Sequence, residues 1–161
     1  MGRELLSCII EDNHDNKIFL STSHLESQQI GKVNRQKQNK ISFENLQVQT
    51  ESNNCSFGIF GGDLNARDNE VKIALKDKKK IHDAWEFSGN NQNKFTWDLL
   101  LNDNVTIPGA KFKPRCRFDR LYFVENSAKV DVKRFDLVGT ERLDHGRFPS
   151  DHFGIFLELN F

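Results

Sequence analysis

Three short segments of this sequence bring together acids, histidines and an amide, residue types that can handle a phosphate ester. SHLES contains His24, GGDLN contains Asp63 and Asn65, and SDH contains Asp151 and His152. Asp63 could orient or deprotonate a water, while the two histidines and the amide could hold phosphate oxygens. Asp151 could bind a metal or fix a water. Hard oxygen ligands favour Mg²⁺ or Mn²⁺ over zinc.

A further carboxylate, Asp119, could orient His152 and raise its pKa. Each motif also has an ordinary structural explanation. Gly-Gly-Asp can be a turn in which Asp63 caps a helix, His24 can be a structural histidine, and Asp151–His152 can be a turn pair. The joint occurrence of the motifs in this order, each at a strand end, favours the functional interpretation.

The elements that must position these residues are predicted from periodicity and turn residues. A strand adjoins each motif, and a strand end held in a sheet is a rigid mount for a functional side chain. Strands are predicted at residues 5–10 and 17–23 as a hairpin, and at 55–60, 118–124, 130–138 and 153–161. Helices are predicted at 30–49 and 69–76, with a loop-rich region at 77–117. Strands with one long helix between them indicate an α/β or α+β fold, in a single domain over residues 1–161.

Composition excludes several classes of protein. Lys plus Arg number 23 and Asp plus Glu number 23, so net charge indicates no partner. Three separated cysteines without a CxxC pair favour a reducing compartment over disulfides or a zinc site. No apolar run approaches the roughly 20 residues of a membrane span. We therefore expect a soluble intracellular protein without a membrane partner.

The order SH…GD-x-N…SDH resembles the endonuclease/exonuclease/phosphatase superfamily, whose fold is a two-sheet, four-layer α/β sandwich. Six motifs in order resemble more closely the tyrosyl-DNA phosphodiesterase 2 family: SHLES, GGDLNARDNEV, DAWEF, FTWD, RFDRLYF and LDHGRFPSDHFG. The resemblance runs from about Leu5 onward. It implies that the chain is the C-terminal part of that sandwich.

The family resemblance also implies an activity, a cofactor and a set of partners. Members hydrolyse the bond between tyrosine and a DNA 5′-phosphate with Mg²⁺, and they remove topoisomerase II adducts at strand breaks. By match to the family motifs, Asp63 would be the catalytic acid/base. His24 and His152 would hold the scissile phosphate, while Asn65 and Arg67 would contact the DNA 5′ end. We expect a monomer that acts in the nucleus, with the cytoplasm as an alternative location.

The remaining roles implied by the resemblance concern the groove and the metal. Ser27 would lie in the DNA-contacting stretch, and Trp97 and Phe118 would line a narrow groove for single-stranded 5′ ends. Asp119 would orient His152, and Asp151 would help to organise the metal and the water.

Two departures from the family pattern lead to further expectations. Gln28 and Gln29 stand where the family has Thr and then a DNA-contacting Arg, which should weaken DNA affinity because an amide lacks the charge. Family domains also begin earlier, with a strand that ends in Asn and a metal-binding Glu. We therefore expect an N-terminally truncated domain with impaired or absent activity, open sheet edges and a tendency to aggregate.

Two alternative functions remain open from the sequence. One is a related metal-dependent nuclease, such as an abasic-site endonuclease, although Trp97 and the FTWD stretch favour the tyrosyl end. The other is a non-catalytic DNA-end-binding remnant.

Overall fold

The structure is a computed structural model that describes residues 2–161. In chain order its strands are β1 (Leu5–Glu11), β2 (Lys17–Ser23), β3 (Phe57–Asp63), β4 (Ile81–Asp83), β5 (Trp97–Asp98), β6 (Arg115–Cys116), β7 (Asp119–Glu125), β8 (Asp131–Val138) and β9 (Gly154–Asn160). The helices are α1 (Lys32–Ser52), α2 (Asp68–Leu75) and the short α3 (Trp85–Ser88), and Asn91–Asn93 form a 3₁₀ turn.

The central layer is a five-stranded sheet in the order β1-β2-β3-β7-β4. Strands β2 and β3 are parallel, and α1 is the crossover that connects them. The other neighbours in this sheet are antiparallel. Because β2 and β3 are parallel, their carboxyl ends lie side by side and carry the loops that begin at His24 and Leu64.

One face of the sheet is covered by α1 and α2. The core between them is built from fully buried apolar side chains, among them Phe43, Leu46, Phe60 and Tyr122. The Phe43 ring meets the Tyr122 ring edge-on, with centroids 4.9 Å apart. Such an arrangement adds to the stabilisation from burial alone.

The opposite face is covered by the two-stranded sheet β8-β9. Phe57, Phe123 and Phe135 form the centre of this second core. Alternate residues of β9, Ile155, Leu157 and Leu159, pack against it, as the alternation in the sequence predicts. The described residues therefore form three layers, with helices, a large sheet and a small sheet. This is a mixed α/β sandwich, as predicted.

Several element predictions are confirmed and others need correction. The hairpin of β1 and β2 is confirmed, and α1 begins and ends two to three residues later than the predicted 30–49. The strand predicted at 55–60 instead runs from Phe57 to Asp63, so Gly61 and Gly62 lie in the ladder opposite Leu121 and Arg120. The alternative explanation of Gly-Gly-Asp as a turn is therefore wrong.

The region 77–117 holds more structure than its loop-rich composition predicts. Strand β4 extends the central sheet, and the two-residue strands β5 and β6 pair Trp97 with Cys116. Strands of two or three residues are too short to show a period in the sequence. In the described part of the chain, no helix is both long and apolar enough to cross a membrane.

Candidate active site

The site is built where β3 ends and β7 begins. These strands are antiparallel, and their register places Asp63 directly opposite Asp119. His152, in the loop before β9, completes a group of three whose potential ligand atoms all lie within 4.8 Å of one another. Residues nearly ninety positions apart in sequence thus meet at one edge of the sheet.

Asp119 and His152 form the tightest contact of the group. The Nδ1 atom of His152 lies 2.7 Å from Oδ2 of Asp119, and both side chains are half-buried. Burial opposes the charged imidazolium, but the hydrogen bond and charge of Asp119, helped by Asp63 and Asp151, raise the pKa of His152. The predicted orienting contact is therefore present in the geometry.

Asp63 lies in an environment that favours its protonated form. Burial, and then the neighbouring charge of Asp119, raise the pKa of the Asp63 carboxyl, although a hydrogen bond from the Asn65 amide partly offsets them. A carboxyl group whose pKa is raised can exchange a proton nearer neutral pH, as a general acid or base must.

His24 reaches Asp63 from the end of β2. Its Nε2 atom lies 3.3 Å from Oδ2 of Asp63, and the imidazole is 58% exposed. The amide of Leu25 donates to the Asp63 carbonyl at 2.9 Å, which fixes the two loops against each other. The site loops that follow β2 and β3 are therefore joined through both backbone and side chain.

Asn65 lies at the site for a reason different from the one that the sequence suggests. The spacing predicts that Asp63 and Asn65 share one side of an extended chain, but Asn65 is in the left-handed region with φ 49°. Its amide donates to Oδ1 of Asp63 at 2.8 Å, and its side-chain Nδ2 donates to the Leu25 carbonyl at 3.1 Å. The pair is therefore an Asx turn. Arg67, and not Asp63, is the N-cap residue of α2.

Asp151 lies beside the three-residue group and not within it. Its Oδ2 is 4.0 Å from Nε2 of His152, and its side chain is 44% exposed. Oxygens of Asp63 and Asp119 already meet histidine nitrogens, so Asp151 carries the most accessible carboxylate of the site. Carboxylates are the donors that a hard divalent cation prefers, and Mg²⁺ commonly uses one or two of them together with substrate phosphates. The exposed carboxylate of Asp151, together with oxygens of a bound phosphate, therefore fits such an ion.

An aromatic wall borders the site. The Trp97 and Phe118 rings lie 5.6 Å apart, and their centroids are 6.4 and 6.5 Å from the His152 ring. The Arg67 guanidinium lies 5.0 Å from the Phe118 centroid and donates to the Cys116 sulfur. The two predicted groove residues, Trp97 and Phe118, are thus neighbours, and the Arg67 cation stacks on Phe118.

Ser27 lies farther along the loop that begins with His24. Its amide donates to Oε1 of Glu26 at 3.3 Å, and it takes no part in the described contacts among Asp63, Asp119 and His152. Gln28, at the first departure from the family pattern, is left-handed with φ 61°.

Two buried arginines that no sequence motif indicates, Arg35 and Arg120, support the site loops. Arg35 of α1 forms two bonds to Glu70 and donates to the carbonyls of Glu26 and Gln28. On the other side, Arg120 donates to the carbonyl of Ala66 and to Asp68. The acidic residues in the first turn of α2 are the only sequence signal for these anchors, and acids there are common because they complement the helix dipole.

The chain is similar in sequence to curated tyrosyl-DNA phosphodiesterase 2 proteins. Tyrosyl-DNA phosphodiesterase 2 of Rattus norvegicus is 41% identical over 161 residues, which cover 99% of this chain and 42% of that protein. The Homo sapiens protein of the same name is 37% identical over 163 residues, with 99% and 43% covered. The chain is related to tyrosyl-DNA phosphodiesterase 2. It spans less than half the length of these curated relatives.

Solved structures of tyrosyl-DNA phosphodiesterase 2 are also similar to this chain. Danio rerio tyrosyl-DNA phosphodiesterase 2, crystallised with a single-strand DNA product, aligns with a TM-score of 0.88 and 33% identity, covering 99% of this chain and 62% of that one. A truncated Caenorhabditis elegans tyrosyl-DNA phosphodiesterase 2 aligns with a TM-score of 0.79 and 35% identity, covering 95% and 58%.

A more distant structure supports the fold alone. An endonuclease/exonuclease/phosphatase family protein from Bacteroides thetaiotaomicron aligns with a TM-score of 0.70 at 20% identity, covering 98% of this chain and 54% of that one. No family model matches the sequence. The fold expected from the motifs is thus confirmed, while the roles of individual residues stay predictions.

Proposed function

We propose that this chain carries the active site of a metal-dependent 5′-tyrosyl-DNA phosphodiesterase. The observation that carries the proposal is the Asp63–Asp119–His152 group beside the wall of Trp97 and Phe118. The group supplies acid–base chemistry and phosphate donors, and the wall supplies a surface on which bases can stack. The relative crystallised with a single-strand DNA product supports DNA as the ligand.

In this mechanism Asp63 handles the proton of the attacking water. Its raised pKa suits that exchange, and His24 and the Asn65 amide hold its two oxygens in place. The water oxygen forms a bond to phosphorus while the bond from phosphorus to the tyrosine oxygen breaks. The tyrosine oxygen leaves as phenolate and takes up a proton, and the DNA keeps its 5′-phosphate.

His152 would stabilise the charge that develops on the phosphate. Asp119 engages its Nδ1 at 2.7 Å and favours the protonated ring, so that Nε2 can donate to a phosphate oxygen. His24, with its exposed imidazole, would donate to the same phosphate from the opposite loop.

The wall would accept a single-stranded 5′ end without regard to sequence. Every base has a face that can stack on Trp97 or Phe118, and Arg67 adds positive charge near the phosphates. Ser27 would contact the strand from the His24 loop. Gln28 and Gln29 add no charge there, so we expect moderate affinity.

Asp151 would hold Mg²⁺, or Mn²⁺, together with oxygens of the bound phosphate. The ion would neutralise phosphate charge during the reaction. The proposed substrates are topoisomerase II adducts at DNA 5′ ends. The proposed location is the nucleus, and the proposed active form is a monomer.

The proposal is tested by offering the chain three labelled DNAs in the presence of Mg²⁺. These are a single-stranded 5′-phosphotyrosyl oligonucleotide, the same strand with a 5′-phosphate, and a duplex with one abasic site. We expect release of tyrosine from the first, binding of the second and no cleavage of the third. Cleavage of the abasic duplex alone would instead identify the related endonuclease.

A second candidate function is DNA-end binding without catalysis. It is favoured by the contacts of Asp63 with His24 and of Asp119 with His152, because these contacts occupy the two carboxylates that lie beside the phosphate donors. Binding of both single strands without any tyrosine release would support this candidate and contradict the first.

A further inference from the structure

Thr96 connects the two parts of the chain that carry Asp119 and His152. Its side-chain oxygen accepts hydrogen bonds from the amides of Phe118 and Asp119, at 3.1 and 3.0 Å. Its backbone carbonyl accepts from the amide of Phe153 at 2.7 Å. The residue is 1% exposed, so water does not compete for these bonds.

The geometry points to a positioning role for Thr96. Asp119 and His152 lie on segments more than thirty residues apart, and Phe153 directly follows His152. One residue therefore fixes the backbone on both sides of the 2.7 Å contact between them. We propose that Thr96 sets the distance and orientation of the Asp119–His152 pair, and that its hydroxyl is the essential group.

The same residue also places the groove wall. Trp97 follows Thr96 directly, and its ring lies 6.4 Å from the His152 ring. A shift of Thr96 would therefore move the base-stacking surface and the imidazole together. The catalytic consequence rests on the function proposed above, whereas the positional consequence does not.

Substitutions of Thr96 can separate the role of its hydroxyl group from the packing of its side chain. A hydroxyl oxygen has two lone pairs, and the two amides use both. Thr96→Val keeps the shape but removes the oxygen that accepts both hydrogen bonds, while Thr96→Ser keeps that oxygen and removes a methyl group. Packing alone would make the two variants similar, or make serine the worse.

The experiment compares these variants with the parent chain and with Thr50→Val. Thr50 is a matched control because it is fully buried, and its hydroxyl donates to the Leu46 carbonyl within α1. With the 5′-phosphotyrosyl oligonucleotide and Mg²⁺, we expect Thr96→Val to lower kcat about tenfold or more. KM should rise by a smaller factor, because the Trp97 ring shifts together with the imidazole. Thr96→Ser and Thr50→Val should stay close to the parent.

A second readout does not depend on activity. The proton on Nδ1 of His152 should give a downfield NMR signal while it is bonded to Asp119, and Thr96→Val should weaken that signal. If the parent shows the signal but releases no tyrosine, the proposed function fails while the NMR comparison still decides the role of Thr96.

Two results would overturn the role of Thr96. One is an unchanged His152 signal and kcat in a folded Thr96→Val variant. The other is an equal loss in Thr96→Ser or Thr50→Val. If Thr96→Val does not fold, Thr96→Cys replaces it, because sulfur is a weaker acceptor in a side chain nearly as small as serine. Equal kcat in the Ser and Cys variants would then contradict the inference.

Discussion

At the residue scale, the site depends on two carboxylates that the sheet holds opposite each other. Asp63 and Asp119 face each other across the β3–β7 ladder, where burial and then the charge of Asp119 raise the pKa of Asp63. A raised pKa suits Asp63 to an acid–base role. The motifs predicted which residues would meet, but not that strand register brings them together.

The Asp119–His152 contact gives a testable pH dependence. Asp119→Asn should lower the pKa of His152, because it removes the charge that favours the imidazolium. NMR titration of the His152 ring in the parent and the variant, with EDTA present, measures this directly. An unchanged midpoint would show that Asp119 does not set the protonation of His152.

The raised pKa of His152 also makes the stability of the fold depend on pH. A group whose pKa is raised by folding stabilises the fold below its unfolded pKa, about 6.5 for histidine. That contribution is lost as pH rises through the folded pKa. The free energy of unfolding should therefore decline less with rising pH above about 6.5 in Asp119→Asn than in the parent.

The aromatic wall of Trp97 and Phe118 should contribute to DNA affinity. Trp97→Ala should weaken binding of a 5′-phosphorylated single strand by about 1–3 kcal/mol, the usual contribution of one stacked base. Fluorescence anisotropy measures the change. Phe156→Ala is the control, since Phe156 is a partly exposed ring on β9 that stacks with Arg134. Equal losses in both variants would argue against a groove at Trp97.

Asn65 shows what spacing can and cannot predict at this scale. Its place beside Asp63 follows from the motif, but its left-handed backbone does not. Asn tolerates that region and forms Asx turns, so the residue type allowed the turn without revealing it.

At the scale of elements, the close approach of β2 and β3 depends on Gly62. Its φ is 144°, and a Cβ there would lie 2.1 Å from the Ser23 carbonyl oxygen, just before His24. The backbone of β3 can therefore approach the His24 loop only where no side chain intervenes.

Gly62→Ala should lower the free energy of unfolding by about 1–3 kcal/mol from backbone strain alone, and further because of the clash. Gly109→Ala is a matched control, since its φ is 76° but a Cβ there meets nothing within 4 Å. Chemical denaturation compares the two. A loss no larger than that of Gly109→Ala would mean that the close approach is not required.

Element prediction succeeded where the sequence pattern was long. Strand β9 alternates over seven residues and the β1–β2 hairpin is bounded by a polar turn, so both were predicted near their observed bounds. Strands β5 and β6 have two residues each, and their pairing depends on tertiary contacts. The burial of Arg35 and Arg120 is not predictable from the sequence either, because charged residues usually lie on the protein surface.

At the scale of the whole molecule, β1 is an edge strand with exposed apolar side chains. Leu6, Ile9 and Ile10 are 72%, 44% and 46% exposed, and β1 pairs only with β2. An unpaired apolar edge is a template for association with another chain. The tendency to aggregate that the sequence suggests stays a prediction.

Leu6→Lys with Ile10→Lys should therefore reduce aggregation without lowering the melting temperature, because charge on an edge opposes pairing. Static light scattering during heating measures the effect. Ile41→Lys with Ile73→Lys, which also adds two lysines, at 59% and 65% exposed positions of α1 and α2, is the control. A reduction of the same size in the control would indicate that added charge, and not the edge, is responsible.

The central claim is that Asp63 serves as the acid/base in hydrolysis of a 5′-phosphotyrosyl bond. The most direct measurement is tyrosine release from a 5′-phosphotyrosyl single strand by the parent chain and by Asp63→Asn, each with Mg²⁺ and with EDTA. We predict slow release by the parent that requires Mg²⁺ and falls by about 10²–10⁴-fold in Asp63→Asn. No release by the parent, or equal release by both proteins, would contradict the account.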